Sequence, residues 1–157
     1  MKINLKEKNK NKHTVNIENI EIGLIKDFTL KITEKLHNDF KKFSGDYSPI
    51  HNDIKFCKKN NFKKKLGYAF LITSALSKIY GIYFPGGNEL CLHQTCNFRN
   101  PFYINDTLSI KLKVVQVNKS TKIISINTEI KVKKKIIFDG HSVLKLCLKK
   151  WSIKKDN

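Results

Sequence analysis

The second half of this 157-residue chain alternates hydrophobic and polar residues with a period of two, and this alternation most constrains its fold. Four such runs follow one another: Leu90–Phe98, Thr107–Val117, Lys122–Lys133 and Ile136–Leu148. A period of two is typical of strands with one buried face, and short polar turns between the runs favour antiparallel order. The pattern therefore predicts a meander of four long strands.

The first half of the chain carries helical patterns instead. Ala69–Tyr83 is nearly all apolar and runs into Pro85-Gly86-Gly87, which predicts a long buried helix that ends at this turn. Glu21–Ile32 is expected to be extended, and Asp53 to cap a short helix. Thr33 is a candidate N-cap for a helix with apolar residues at helical spacing, namely Leu36, Phe40 and Phe43. An α+β domain with an antiparallel sheet packed on the long helix is predicted.

Composition sets the expected domain limits and compartment. Residues 1–17 are rich in Lys and Asn and lack the apolar stretch of a secretory signal, so a solvated tail is expected there. Residues 18–150 form one expected domain, and residues 151–157 a C-terminal tail. The apolar segment 66–84 contains a lysine and several hydroxyl residues, which favours a buried helix over a membrane span. We expect a cytoplasmic protein with reduced cysteines and no membrane partner.

The net charge of +18 first suggests a nucleic-acid partner. Arg99 is the only arginine, however, and recognition of phosphates and base edges favours the guanidinium group. Many lysines instead occupy the solvent positions of the expected strands, among them Lys111, Lys113, Lys131, Lys133, Lys145 and Lys149. Compositional drift explains the excess better than nucleic-acid binding, for which steeply salt-dependent affinity would be the sign.

A metal site is not expected. The four cysteines are Cys57, Cys91, Cys96 and Cys147, and their spacing forms no dense disulfide framework. Cys91, His93 and Cys96 could be drawn as a cluster, but in a strand the first two face one way and Cys96 the other. Small buried thiols in a strand are the better interpretation. No cofactor is predicted.

Chemistry is concentrated in one loop, Ser44-Gly45-Asp46-Tyr47-Ser48-Pro49-Ile50-His51. It places a carboxylate, Asp46, and an imidazole, His51, five residues apart, and Pro49 stiffens the backbone between them. Such a pair can hold one water and move its protons in opposite directions. By itself the spacing is weak, because many loops contain the same pair as a structural hydrogen bond.

The loop resembles the signature of the MaoC-like, (R)-specific enoyl-CoA hydratase family, which runs Ser-Gly-Asp-x-Asn-Pro-hydrophobic-His. The resemblance extends over roughly residues 20–150, through Phe62, Tyr68-Ala69-Phe70 and the helix from Leu71 to Gly81, to Pro85-Gly86 and Phe98-Arg99-Asn100-Pro101. It implies a hot-dog fold, in which the sheet wraps around the central helix. It also implies a homodimer with two continuous sheets.

The resemblance implies a role for each matching residue. Asp46 would be the base toward water, and His51 would share that water and complete the proton transfer. The backbone N–H of Ala69 would hold the thioester oxygen. Two departures stand out: Tyr68-Ala69 replaces the family's usual His-Gly, and Ser48 replaces its usual Asn, which would adjust only the position of Asp46.

Pocket and carrier residues are expected along the same elements. The pocket would include Ser48, Tyr68 and one face of the central helix, Thr73, Ser77 and Tyr80, with the Tyr80 ring limiting acyl length. Thr73 and Ser77 could instead bond the carbonyls four residues earlier. The lysines of the loop from Lys58 to Lys65, above all Lys63, Lys64 and Lys65, could attract an acidic carrier. The other histidines, His13, His37, His93 and His141, are expected at the surface or between strands.

The implied activity is reversible addition of water to a trans-2-enoyl thioester of CoA or acyl carrier protein, which yields an (R)-3-hydroxyacyl thioester. Two alternatives remain open at this point. A hot-dog thioesterase would attack the thioester carbon and release a free thiol. A member that has lost activity through the Tyr68-Ala69 change would bind acyl thioesters without turnover.

Overall fold

The computed structural model describes residues 3–7, 15–87 and 89–146. Within these residues seven strands form one antiparallel sheet, in the order β1-β2-β5-β6-β7-β3, with β4 paired to β7 beyond the end of β3. The strands are β1 Leu5–Glu7, β2 Ile25–Lys31, β3 Glu89–Gln94, β4 Asn97–Phe98, β5 Thr107–Asn118, β6 Ile123–Val132 and β7 Lys135–Leu146. The expected meander is confirmed for β5, β6 and β7, whereas β3, which was expected to be its first strand, lies beside β7 and leaves β2 as the neighbour of β5.

Four α-helices accompany the sheet in the described residues: α1 Glu34–Ser44, α2 Pro49–Asn52, α3 Ile54–Lys59 and α4 Ala69–Lys78. A π-helical turn, Ile79–Tyr83, continues α4 toward Pro85. The predicted caps are present, since the Thr33 side chain accepts the Leu36 N–H and the Asp53 side chain accepts two N–H groups of α3. No helix in the described part of the chain is long and apolar enough to cross a bilayer.

The core lies between α4 and the concave face of the sheet. Leu71, Ile72, Ala75 and Leu76 of α4 are buried in the same cluster as alternate residues of the strands, including Ile110, Leu112, Ile126 and Ile130. Each fully buried aliphatic side chain of this kind stabilises the fold by about 1.5–3 kcal/mol. Because one face of α4 packs into this core, the helix and its N-terminus are anchored to the sheet.

The N-terminal tail is a correction to the expectation from composition. Residues 3–7 and 15–17 belong to the fold: β1 pairs with β2, and Ile3, Leu5 and Ile17 are buried. Ile3 and Leu5 alternate with polar residues, so a short edge strand buries them while Asn4 and Lys6 face solvent. Residues 1–2, 8–14, 88 and 147–157, with the expected C-terminal tail, lie outside the described residues.

The run Leu90–Phe98 differs from expectation because it is interrupted. It divides into β3 and β4, and the β3–β7 register shifts between Cys91 and His93. Cys91 and His93 consequently lie opposite the neighbouring residues Leu144 and Val143, which point to opposite faces. The two side chains therefore do not share a face as a regular strand would require. Cys91 and Cys96 are exposed, so the expectation of small buried thiols in this strand is wrong, whereas Cys57 is buried.

Candidate active site

The backbone around the signature is set by a helix end and a helix start. Gly45 ends α1 in the left-handed conformation, with φ of 69°, which glycine adopts without steric cost. Pro49 then begins α2, where its missing N–H is tolerated. Asp46 thus lies in the connecting loop, while His51 lies in a short helix rather than in the expected loop.

Asp46 is held as a carboxylate by its own loop. One carboxylate oxygen, Oδ1, accepts the Ser48 N–H at 3.0 Å. The hydroxyl and the N–H of Ser48 lower the pKa of Asp46, and the nearby His51 lowers it further. The group is therefore ionised throughout the neutral range and can accept a proton. Ser48 acts on Asp46 and does not line the large pocket described below.

A backbone carbonyl fixes which ring nitrogen of His51 carries a hydrogen. Its Nδ1 lies 3.0 Å from the Leu66 carbonyl oxygen, so Nδ1 carries a hydrogen and donates it. The Leu66 N–H in turn donates to the Ile50 carbonyl, which ties α2 to the segment before α4. This arrangement leaves Nε2 facing the carboxylate.

The two groups face each other across a gap. His51 Nε2 lies 3.9 Å from Asp46 Oδ2, which is too far for a direct hydrogen bond. A polar separation of this length fits one bridging water that bonds both atoms. The structure thus brings the predicted pair together in a geometry suited to holding a water.

Tyr68 packs behind the pair. Its hydroxyl donates to the Asp46 carbonyl oxygen at 2.8 Å, and its ring centroid lies 4.1 Å from that of His51. His37 packs on the other side of this group, with its Nε2 3.1 Å from the His51 carbonyl oxygen. His37 is only 2% exposed, so the expectation that it lies at the surface or between strands is wrong.

A largely apolar cavity of about 720 Å³ opens beside Asp46 and His51. A volume of this size is typical of small-molecule sites. Its walls come from α1, the segment before α4, the start of α4 and the loop after β4, and include Phe40, Phe62, Leu66, Ile72, Phe98 and Phe102. Gly67 allows this close packing, because a Cβ there would collide with the Phe102 ring.

Ala69 lies in the cavity wall as the first residue of α4. Backbone N–H groups in the first turn of a helix have no acceptor within the helix, and the helix dipole favours negative charge there. Alanine adopts helical backbone angles as readily as the glycine usual in the resembling family. The site therefore has a backbone donor in the region where a thioester oxygen would need one.

The other expected pocket residues lie outside this lining. Thr73 donates its hydroxyl to the Phe70 carbonyl three residues earlier, and Ser77 is exposed. Tyr80 is buried, and its hydroxyl bonds Ser142 at 2.6 Å in a network that includes Gln94. The position of Tyr80 thus gives no support to the expectation that it limits acyl length.

A second, polar cavity of about 420 Å³ shares His51 with the first. Three lysines line it, Lys41, Lys64 and Lys65, whereas the neighbouring Lys63 does not. Three asparagines, Asn38, Asn52 and Asn105, and one acid, Glu34, complete much of its wall. The expected lysine cluster is therefore partly assembled, with Lys41 of α1 as a member that sequence reasoning missed.

Arg99 also went unassigned from sequence, although it lines the apolar cavity. Its guanidinium pairs with Asp139, and that contact raises the pKa of Arg99. No sequence motif marks His37 either. His37 lies three residues before Phe40 on α1, however, and this spacing was a signal that both side chains lie on the buried face of the helix.

The chain is similar in sequence to a known domain family and to individual enzymes. The sequence model of the MaoC like domain matches residues 17–136. The 3-hydroxybutyryl-CoA dehydratase of Methylorubrum extorquens is 24% identical over 129 residues, which cover 82% of each chain. The (R)-specific enoyl-CoA hydratase of Aeromonas caviae is 25% identical over 91 residues, 58% of this chain and 68% of that protein.

Among solved structures, an R-hydratase of Pseudomonas aeruginosa in the unliganded form superposes with a TM-score of 0.83. The two chains are 23% identical, and the match covers 92% of this chain and 94% of the other. This likeness confirms the expected hot-dog fold, with the sheet around a central helix.

Proposed function

This chain belongs to the MaoC-like domain family, and on that premise we propose that it adds water reversibly to a trans-2-enoyl thioester to give the (R)-3-hydroxyacyl thioester. The observation that carries the proposal is the separation of 3.9 Å between Asp46 Oδ2 and His51 Nε2 at the wall of an apolar cavity. A carboxylate and an imidazole so placed can activate one water beside an acyl chain.

In the proposed hydration, the water between the two side chains loses a proton to Asp46 as its oxygen bonds the β-carbon. The electron pair of the double bond moves toward the thioester carbonyl, whose oxygen gains negative charge. The α-carbon then takes a proton from Nε2 of a protonated His51. Transfer of the proton from Asp46 to His51 restores the starting state, and the dehydration follows the same steps in reverse.

The Ala69 N–H would stabilise the negative charge on the thioester oxygen. A donor fixed at a helix N-terminus needs no reorganisation during the reaction, which makes such a contact effective. The acyl chain would occupy the apolar cavity, whose walls include Phe40, Phe62, Leu66 and Phe102. The reaction needs no cofactor beyond the CoA or acyl carrier protein that carries the acyl group.

The lysine-lined cavity is the proposed site for the phosphates of that carrier. Lys41, Lys64 and Lys65 supply positive charge there, and the cavity adjoins the reacting groups through His51. Phosphate groups of CoA or phosphopantetheine are anionic, so charge complementarity favours them. Lys63 has no place in this cavity and is left out of the proposal.

A homodimer is the proposed assembly. β3 ends the sheet order, so among the described strands its outer edge is unpaired. Leu90 and Leu92 on β3 are 55% and 49% exposed, which is unfavourable for a strand edge left in water. Pairing of β3 with β3 of a second copy would cover these residues and join the two sheets. A cytoplasmic location stays a prediction.

The proposal is tested by incubating the protein with crotonyl-CoA and analysing the products by chiral chromatography and by free-thiol release. We expect (R)-3-hydroxybutyryl-CoA and no thiol. Release of CoA thiol without hydration would identify a thioesterase, and tight binding without either product would identify a member that has lost activity. Each of these two results would overturn the proposal.

A further inference from the structure

Tyr68 contacts both members of the candidate catalytic pair from behind. Its hydroxyl donates to the Asp46 carbonyl oxygen at 2.8 Å, across 22 residues of sequence. Its ring packs against the His51 imidazole, with centroids 4.1 Å apart and planes inclined by 32°. One buried side chain at the N-cap of α4 thus holds the backbone of Asp46 and the ring of His51.

The contact with Asp46 is distinctive because the loop has few long-range anchors. The carboxylate accepts the Ser48 N–H, and the Asp46 N–H donates to the Ser44 hydroxyl at 3.2 Å. Both partners are two residues away, so these bonds move together with the loop. The Tyr68 hydroxyl instead connects the loop to the start of α4, which the core holds in place.

Neighbouring groups fix the direction of the Tyr68 hydroxyl. The Asn52 amide donates to this oxygen at 3.3 Å and also to the Ser48 carbonyl at 3.0 Å. Because Asn52 supplies a hydrogen, the phenolic hydrogen is directed to the Asp46 carbonyl. Burial raises the pKa of Tyr68, which keeps that hydrogen in place at neutral and mildly basic pH.

We propose that Tyr68 is a positioning residue that sets the separation between Asp46 Oδ2 and His51 Nε2. This inference rests on the proposed hydratase function and deepens it. Tyr68 does not take part in proton transfer, since its hydroxyl is committed to a backbone carbonyl. It acts through the two residues that hold the water, because a misplaced catalytic group slows a reaction even when the substrate still binds.

The test begins with Tyr68→Phe, which keeps the ring stack and removes the hydroxyl. We expect kcat for crotonyl-CoA to fall by roughly tenfold, the rate equivalent of about one hydrogen bond, with KM within about twofold of wild type. Tyr83→Phe is the matched control, because Tyr83 packs its ring on Phe28 away from the site, and it should leave both constants unchanged. Tyr68 also lines the apolar cavity, so a raised KM with unchanged kcat would show that it acts only on substrate binding and would overturn the inference.

The same variant is then combined with Asp46→Asn in a double-mutant cycle. If Tyr68 acts through the pair, Tyr68→Phe causes no further loss of kcat once Asp46 has been replaced. Losses that multiply would show that Tyr68 acts independently of Asp46 and would overturn the inference. Asn52→Ala offers a second route, since it removes the amide contact and leaves Tyr68 intact, and it should give a smaller loss of kcat.

A readout without activity separates this inference from the proposed function. Crystal structures of wild type and Tyr68→Phe should show residues 45–48 displaced and the 3.9 Å separation lengthened in the variant. An unchanged separation would overturn the positioning role. If wild type did not hydrate crotonyl-CoA, the proposed function would fail, and the structural comparison would still decide the role of Tyr68.

Discussion

At the scale of single residues, hydrogen bonds from neighbouring residues fix the positions of Asp46 and His51. Ser48 and Tyr68 both act on Asp46, one on its carboxylate and one on its backbone. His51 is held by the Leu66 carbonyl through its ring and by His37 through its backbone. The two groups that would touch water are thus each fixed by two contacts.

Replacing Ser48 should shift the pH dependence of activity. Its hydroxyl lowers the pKa of Asp46, and Asp46 must be ionised to accept a proton. In Ser48→Ala the pKa of Asp46 rises, so the acidic limb of the kcat/KM profile moves to higher pH while the rate at neutral pH changes little. Ser120→Ala, in an exposed turn, is the control. An acidic limb that stays in place would contradict the assigned contact.

His37 predicts a pH-dependent stability. Burial lowers the pKa of His37 below its ordinary 6.5, so the unfolded chain binds a proton more readily than the folded protein does. The free energy of unfolding should therefore decrease as pH falls through about 6.5 and below. His37→Gln, which does not titrate, should weaken this dependence in urea titrations, and His93→Gln at an exposed position should not. Equal slopes in all three proteins would exclude the effect.

At the scale of elements, the sequence predicts regular structure well and its interruptions poorly. The period-two runs and the caps at Thr33 and Asp53 identified the strands and helices because each pattern has one local physical cause. β1 was missed because composition obscured a short alternation of Ile3 and Leu5. The register shift between Cys91 and His93 depends on pairing with β7, which spacing along the chain does not encode.

The site shows the same division. Asp46, His51 and Ala69, which a local motif and a helix start mark, lie together at the apolar cavity, whereas Thr73, Ser77 and Tyr80, which were placed by helical spacing alone, do not line it. Helical spacing shows which residues share a face but not what packs against that face. Here the sheet and its polar side chains Ser142 and Gln94 occupy the space beside Tyr80.

If the lysine-lined cavity between α1 and the segment before α4 binds phosphates, removing its lysines should raise KM only for substrates that carry phosphate. In Lys41→Ala/Lys65→Ala, KM for crotonyl-CoA should rise several-fold, in line with a loss of about 0.5 kcal/mol for each of two exposed ion pairs, and the rise should shrink at high salt. KM for the crotonyl thioester of N-acetylcysteamine, which has no phosphate, should not change.

Lys63→Ala is the matched control for this experiment, because Lys63 neighbours the cavity in sequence but does not line it. Its KM values for both substrates should equal those of wild type. An equal rise of KM for the two substrates in Lys41→Ala/Lys65→Ala would show that the lysines affect the acyl site rather than the phosphates.

At the scale of the whole molecule, the surface lysines and the exposed edge of β3 differ in what they indicate about assembly. The excess of lysine is spread over solvent positions of strands such as Lys111 and Lys113, with one functional concentration proposed beside His51. The exposed leucines of β3, in contrast, lie together on an unpaired edge of the sheet. The edge is therefore the better guide to assembly.

Leu92→Lys should disrupt the proposed dimer, because a charge at the centre of the β3–β3 contact would be buried without a partner. Light scattering after size-exclusion chromatography would then report a monomer. Ile22→Lys, at a residue 68% exposed and distant in sequence from β3, should remain a dimer. A dimer that persists in Leu92→Lys would place the interface elsewhere.

The central claim is that Asp46 and His51 hold one water between them and activate it. Its most direct test measures crotonyl-CoA hydration by wild type, Asp46→Asn, His51→Gln and the double variant, with folding checked by circular dichroism. Each single variant should lose about 10²–10⁴-fold in kcat, as expected for acid–base groups, and the double variant little more. Full activity in either single variant would contradict the account.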